Sequence, residues 1–272
     1  MRSKLYILPL LILIATSCGE YEQILKSTDY EVKKQKMYDY YDEGKYVKVT
    51  ELLAQILPRY TATEEAENLN WINAQANFKL QQYELASTYF QNFASLYPSS
   101  NNAEEALYLA AICEYNMSPR AELDQAYTKK AIESFKIFLN KYPTSSRVDD
   151  CKAKLKELEE KLVEKSYLSA RLYYDMEEYR AATVSLANSL KEYPDTKYRE
   201  ELMYLRLDAL YLYASNSIPS KQVERFQTTL DEYYSFVEEF PKSKYQKDAQ
   251  RIYDASSRFL KNNTAKSSTT NN

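Results

Sequence analysis

The sequence predicts an all-α fold, an α-solenoid of about five helix-pair repeats, and three observations carry that expectation. The first is a recurring frame, usually opened by an aromatic: Tyr83, Ala86, Phe90, Phe93, Pro98, and again Thr128, Ala131, Phe135, Phe138, Pro143. It returns as Tyr179, Ala182, Leu186, Ser189, Pro194 and as Phe226, Thr229, Tyr233, Phe236, Pro241. Spacings of three and four place the first four side chains of each set on one helical face, and the Pro ends the helix. The second observation is glycine, of which there are only two, Gly19 and Gly44. Tight turns at positive φ, hairpins and glycine-rich phosphate loops therefore have almost no raw material. The third is the long period: the frame's prolines stand 45, 51 and 47 residues apart. Such a unit cannot bury its apolar face alone and must stack on its neighbours.

Each element has its own local signal. Met1-Arg2-Ser3-Lys4 and then apolar Leu5 to Ala15 read as a signal-peptide core, too short to span a bilayer, which needs about 20 apolar residues. Ala15-Thr16-Ser17-Cys18-Gly19 then resembles a bacterial lipobox, with Ala15 and Ile14 where a Leu is usual, and this resemblance makes Cys18 the lipid attachment site. Residues 1–17 are thus expected to be a lipoprotein signal peptide, 18–28 a lipidated tether, 29–145 the N-terminal repeats, 146–260 the C-terminal repeats with a long helix, and 261–272 a disordered tail.

Tyr30 to Glu43 is read as the first repeat helix, ended by Gly44, and Tyr46 opens its partner, although Pro58 falls three residues before the frame would place it. Thr63 to Leu80 has an acidic first turn, which complements the helix dipole. Ser99-Ser100-Asn101-Asn102 is a capping cluster for the next helix. Asn116 to Pro119 and Ser215 to Pro219 read as inserted loops. Ser146 to Met176 contains neither Gly nor Pro, and Cys151, Leu155, Leu158 and Leu162 recur at helical spacing, which predicts one helix of about 30 residues, about 45 Å long.

Histidine is absent, which removes His-based acid–base catalysis, Ser-His and Cys-His nucleophiles and His-containing metal sites. With Cys18 assigned to lipid, Cys113 and Cys151 are too few for a structural zinc site and read as small core residues. Adjacent acids such as Glu104/Glu105 and Glu177/Glu178 point to different helix sides and read as solvated or capping residues. No enzymatic activity, metal or cofactor is expected beyond the covalent lipid. Removing residues 1–17 takes away Arg2 and Lys4, leaving 34 basic against 39 acidic residues, a formal charge of −5. A chain with this balance has no electrostatic reason to bind nucleic acid.

Tyrosine is abundant, at 28 residues. Many fall in the frame and read as packing, but Tyr38, Tyr40, Tyr41, Tyr173, Tyr174, Tyr211 and Tyr213 lie outside it. Rigid amphipathic rings of this kind suit the inner face of a repeat protein that binds extended polypeptide. Glycan stacking is the competing use, for which the single Trp71 is poor provision.

Tyr83, Ala86, Phe90, Phe93 and Pro98 match the second-helix half of the tetratricopeptide motif, and Gly44-x-Tyr46 matches its turn. More narrowly, the chain resembles the BamD family of outer-membrane assembly lipoproteins. That resemblance rests on the lipobox, about five repeats, the insertion before Ala131, and the stretch Leu155 to Thr196 with Tyr173-Tyr174 and Leu190-Lys191-Glu192-Tyr193-Pro194-Asp195-Thr196. It implies a lipid-anchored, periplasm-facing scaffold at the outer membrane. The implied partners are a BamA-like barrel insertase and unfolded outer-membrane proteins. On this reading Tyr40, Tyr41 and Trp71 belong to a client groove, and Tyr173, Tyr174, Glu178 and Arg180 to a partner-docking surface. A tetratricopeptide lipoprotein coordinating cell-wall synthesis and a glycan-binding surface lipoprotein are the alternatives.

Overall fold

The computed structural model describes residues 19–269, and Cys18 with the expected signal peptide lies outside them. Residues 19–26 are helical (α1). Five helix pairs come next: α2 (Tyr30–Asp42) with α3 (Tyr46–Tyr60), α4 (Ala66–Lys79) with α5 (Tyr83–Leu96), α6 (Ala103–Met117) with α7 (Ala126–Lys141), α8 (Val148–Asp175) with α9 (Tyr179–Glu192), and α10 (Arg199–Ser215) with α11 (Pro219–Glu239). The last element is α12 (Gln246–Thr269). Among the described residues there is no strand. The helical-repeat fold class read from the frame is the one observed.

The frame works as the periodicity requires. Ala86, Phe90 and Phe93 on α5, Ala131, Phe135 and Phe138 on α7, Ala182, Leu186 and Ser189 on α9, and Thr229, Tyr233 and Phe236 on α11 are all buried. Val49, Leu53 and Ile56 occupy the corresponding places on α3, so the first pair obeys the frame as well. Its Pro58 lies in the last turn of α3, and Thr61 stands where the other repeats carry Pro. A buried aliphatic or aromatic side chain contributes about 1.5–3 kcal/mol, and the second helices bury from one of them, Leu186 on α9, to five on α3.

The described residues form two compact units, 19–119 with 125–158, and 120–124 with 159–269. The first holds three successive core clusters, centred on Leu52 and Leu53, on Phe90 and Phe93, and on Phe135 and Phe138. The second holds two, around Leu186 and Leu202 and around Leu207 and Phe236. Cys113 and Cys151 are free and fully buried, in keeping with their reading as core residues.

The connectors between pairs repeat one construction. After Pro98, Pro143, Pro194 and Pro241, the hydroxyl two residues on (Ser100, Ser145, Thr196, Ser243) accepts from the N–H two residues beyond it, at 3.0–3.2 Å. In the Ser99–Asn102 cluster it is therefore Ser100 that serves the next helix, while the Asn102 side chain makes no capping bond. Within three of the pairs the turn is left-handed. Gly44 has φ +73°, and the same role falls to Gln81 at 58° and Glu177 at 61°. The next N–H reaches back to Tyr40 O, Asn77 O and Tyr173 O at 2.8–3.0 Å, a Schellman closure. Scarcity of glycine thus does not abolish positive-φ turns here, because the bonds that close these helices hold non-glycine residues in the left-handed region.

Two segments differ from expectation. The 18–28 tether is helical over 19–26 and docked, with Ile24 buried in the first core and Tyr21 and Leu25 packed against it. The 261–272 tail continues α12 as far as Thr269. No Gly or Pro interrupts it, Phe259 packs on Phe226 at 4.3 Å between centroids, and Asn263 donates to Phe259 O at 3.0 Å.

Two substitutions check the packing and the turns. Ala131→Leu must force extra volume into a site with no exposure, and urea denaturation should show a loss of about 1–3 kcal/mol. Glu177→Gly relieves a left-handed non-glycine residue, and should stabilise by up to about 1 kcal/mol in the same assay.

Candidate functional site

The site expectations concern three surfaces: the anchor end, the aromatic groove and the far end of α8. At the anchor end, Cys18 itself lies outside the described residues, but the adjoining helix α1 is tightly held. Lys33 of α2 is 4% exposed, and its Nζ donates to Leu25 O at 3.0 Å and to Gln55 Oε1. It makes no ion pair among the described residues and instead caps the carbonyl end of α1, where a cation complements the helix dipole. Tyr21 of α1 donates to Glu51 and meets Tyr40 edge-on at 5.6 Å, and Lys48 lies 4.6 Å from the Tyr21 ring centre.

The groove residues are not gathered in one place. Tyr40 is buried, with Tyr21 against it and Lys48 over its ring at 4.7 Å, so it belongs to the core rather than to an open wall. Tyr41 is half-buried, edge-on to Tyr46 at 5.7 Å in the same cluster. Trp71 belongs to the next cluster, packed on Phe90 at 5.6 Å and Phe93 at 5.2 Å. A ring engaged in that way offers no open platform for a sugar.

The end of α8 is different. Leu172, Tyr173 and Met176 are 56%, 43% and 61% exposed, which is unusual for three apolar residues within five positions. Glu178 is the N-cap of α9 and Arg180 lies in its first turn, both exposed. A cation there opposes the helix dipole, and Arg180 has no side-chain partner among the described residues. Tyr174, next to the exposed Tyr173, turns inward, donates to Asp208 and meets Tyr179 edge-on at 6.2 Å. A groove of about 390 Å³ adjoins this end, bordered by Leu168, Arg171, Leu172 and Asp175.

Tyr174 and three tyrosines that the sequence does not single out share one structural use. Tyr108 and Tyr115 of α6 donate to Asp150 and Glu157 of α8, at 2.9 and 2.6 Å. Tyr167 and Tyr174 of α8 donate to Glu201 and Asp208 of α10, the first at 2.9 Å. Donors and acceptors are each seven residues apart on their helices, so every pair of bonds staples the first helix of one repeat to the first helix of the next. A second contact recurs at the position four after the connector Pro: Arg147 lies over Tyr108 at 4.3 Å, Tyr198 stacks on Tyr167 at 4.0 Å, and Tyr245 on Tyr204 at 4.2 Å. The signal was present in the sequence as matching offsets, Tyr167 to Glu201 and Tyr174 to Asp208, but it has no meaning until the helix pairs are aligned.

These staples hold the phenols neutral. Burial, then the bond to Asp150, pushes Tyr108 up to about 12, and the bond to Glu157, then burial, does the same for Tyr115. Burial also raises the Asp208 carboxyl, although the Tyr174 hydroxyl opposes the shift. Among the described residues no group of acids, Cys or His could hold a metal, and no helix is long and apolar enough to cross a membrane.

The family model described as outer membrane lipoprotein, YfiO, matches residues 30–205 and 167–267. Three relatives, each described as outer membrane protein assembly factor BamD, are similar at low identity. The one from Caulobacter vibrioides is 22% identical over 171 residues, 63% of this chain and 56% of the relative. The one from Rickettsia prowazekii is 24% identical over 163 residues, 60% of this chain and 65% of the relative. The one from Neisseria meningitidis serogroup B is 22% identical over 226 residues, 79% and 81% of the two chains. The chain thus spans less than two thirds of the first two relatives. Among solved structures, the TPR domain of P58(IPK) is similar with a TM-score of 0.40 and 15% identity, covering 87% of this chain and 62% of that one.

Tyrosine titration checks the staples. The ordinary phenol value is 10.0, so as pH rises the unfolded chain loses its protons before the folded chain does. The stability these groups contribute is fully present below about pH 10 and is lost between about 10 and 12. Phenolate absorbance should lag that of free tyrosine and then rise together with loss of helical circular dichroism, and Tyr108→Phe should weaken that coupling.

Proposed function

The chain belongs to the outer membrane lipoprotein family, and from that premise we propose that it is a lipid-anchored scaffold for assembly of outer-membrane proteins, facing the periplasm and without catalytic activity. The observation that carries this reading is the extent of the family match, which runs from residue 30 to 267 and so takes in all five helix pairs. In the proposal Cys18 bears the lipid, which supplies stable attachment because two acyl chains suffice to hold a protein at a membrane.

The partner surface is the end of α8 and the start of α9. Exposed Leu172, Tyr173 and Met176 supply apolar area, and Arg180 supplies a cation that no side chain among the described residues pairs with. A barrel insertase presenting an apolar patch beside a carboxylate is complementary to both. Tyr174 supports this surface from beneath through its bond to Asp208, and Glu178 shapes the turn that presents Arg180. Client binding falls to the first unit, where Tyr41 and Trp71 keep partly exposed edges. An extended strand with a terminal aromatic suits such edges better than a folded partner would.

Cys18→Ala should release the protein from membranes or leave it as precursor. Depletion of the protein should lower the level of β-barrel proteins in the outer membrane, and Arg180→Glu should weaken capture of the insertase by about 1–3 kcal/mol without lowering thermal stability, because an acid suits the start of α9. Normal barrel levels after depletion would overturn the assembly role. Crosslinks from position 173 to cell-wall synthesis enzymes, with none to an insertase, would assign the surface to a different partner.

A further inference from the structure

Glu114 carries a buried carboxylate with no counter-charge among the described residues, and it opens on a pocket. It lies near the end of α6 and is 1% exposed. Its Oε1 accepts from Ser87 Oγ and from Gln91 Nε2, each at 3.0 Å, and its Oε2 accepts from Ser134 Oγ at 2.5 Å. All three donors are neutral; they come from α5 and α7, so the carboxylate joins three helices. Hydrogen bonds offset part of the cost of taking a carboxylate out of water, but a charge buried in this way is best relieved by a cation.

The pocket, about 250 Å³, lies within the first unit, with Glu114 and its donors Gln91 and Ser134 in its wall. Leu107, Ala110 and half-exposed Ile137 give it an apolar side, and Glu133 adds a second carboxylate among the lining residues. Apolar wall and acidic end together match the two parts of a long basic side chain, an alkyl stem and a cationic head. We propose that this pocket receives a lysine or arginine side chain from an extended segment of a partner polypeptide, with the stem against Leu107, Ala110 and Ile137 and the cation at Glu114 and Glu133. Lys130, exposed and without an ion pair among the described residues, also lines the pocket and is the resident competitor. Its charge weakens the site without filling it. This site is separate from the exposed end of α8 and does not depend on the assembly role.

The test uses the full-length mature chain with labelled Ile and Ala methyl groups, titrated with N-acetyl-lysine methylamide and, as a neutral isostere, N-acetyl-norleucine methylamide. Saturable shifts at Ile137 and Ala110 are expected with the lysine probe only, weakened by added salt. Glu114→Gln should lower the affinity by at least about tenfold, and Lys130→Met should raise it. Glu133→Gln, on the exposed rim, should weaken binding without disturbing the fold, and it decides the matter if the Glu114 variant is unstable. Equal shifts with the norleucine probe, no saturable shift with either, or unchanged affinity in both acid variants would overturn the proposal.

Discussion

Every second helix in this molecule has to be covered by more than its own partner. The frame places three buried residues on each, such as Ala131, Phe135 and Phe138 on α7, and the partner helix α6 reaches only part of that face. The rest is closed by the first helix of the next repeat: Cys151 and Leu158 of α8 share the cluster with residues of α6 and α7. On α5 and α7, alanine at the first of the three positions lets backbones approach, and the large rings beyond it fill the space between. A repeat therefore has no complete core by itself, and its stability is a property of its neighbours.

The polar contacts answer a problem this packing creates. Apolar faces of similar composition can slide past one another by a turn with little penalty, because the same kinds of side chain meet again. Bonds from Tyr108 and Tyr115 to Asp150 and Glu157 fix the alignment of α6 against α8, since a shift of one turn would strand both acids. Tyr167 and Tyr174 do the same for α8 against α10. Tyrosine suits the task because its ring still counts towards the apolar area while its hydroxyl reaches past that area to an acid. Glu114, held by two serines and a glutamine, adds a comparable constraint across three helices of the first unit.

How much of this could be read from the sequence depends on whether the cause is local. The fold class, the helix ends before Pro98, Pro143, Pro194 and Pro241 and the long α8 were legible, because spacing and chain breakers act within one helix. Gln81 and Glu177 in the left-handed region were not, since neither residue type signals it and only the closing bonds to Asn77 and Tyr173 hold it. Nor was the docking of α1, which joins the burial of Ile24 to a bond from Lys33, whose own burial no local pattern announces. The proposed site residues divide in the same way. Adjacent positions on a helix cannot share one face, and the structure turns Tyr173 out and Tyr174 in. Tyr40 was indistinguishable from Tyr41 until the core around Tyr21 and Lys48 was in view.

The docked α1 changes what an anchor at Cys18 would mean mechanically. A flexible leash over residues 18–28 would have a mean span of roughly 20 Å, so the body could swing and turn over a wide patch of membrane. With α1 held by Lys33, Tyr21 and Ile24, the chain from residue 19 to the first core is a docked helix and not a leash. The attachment then behaves as a pivot pin and not as a rope. With a lipid at that position, rotation about the membrane normal would survive, while height above the bilayer and tilt would be set by the first repeat, so a partner would meet the protein at a fixed level.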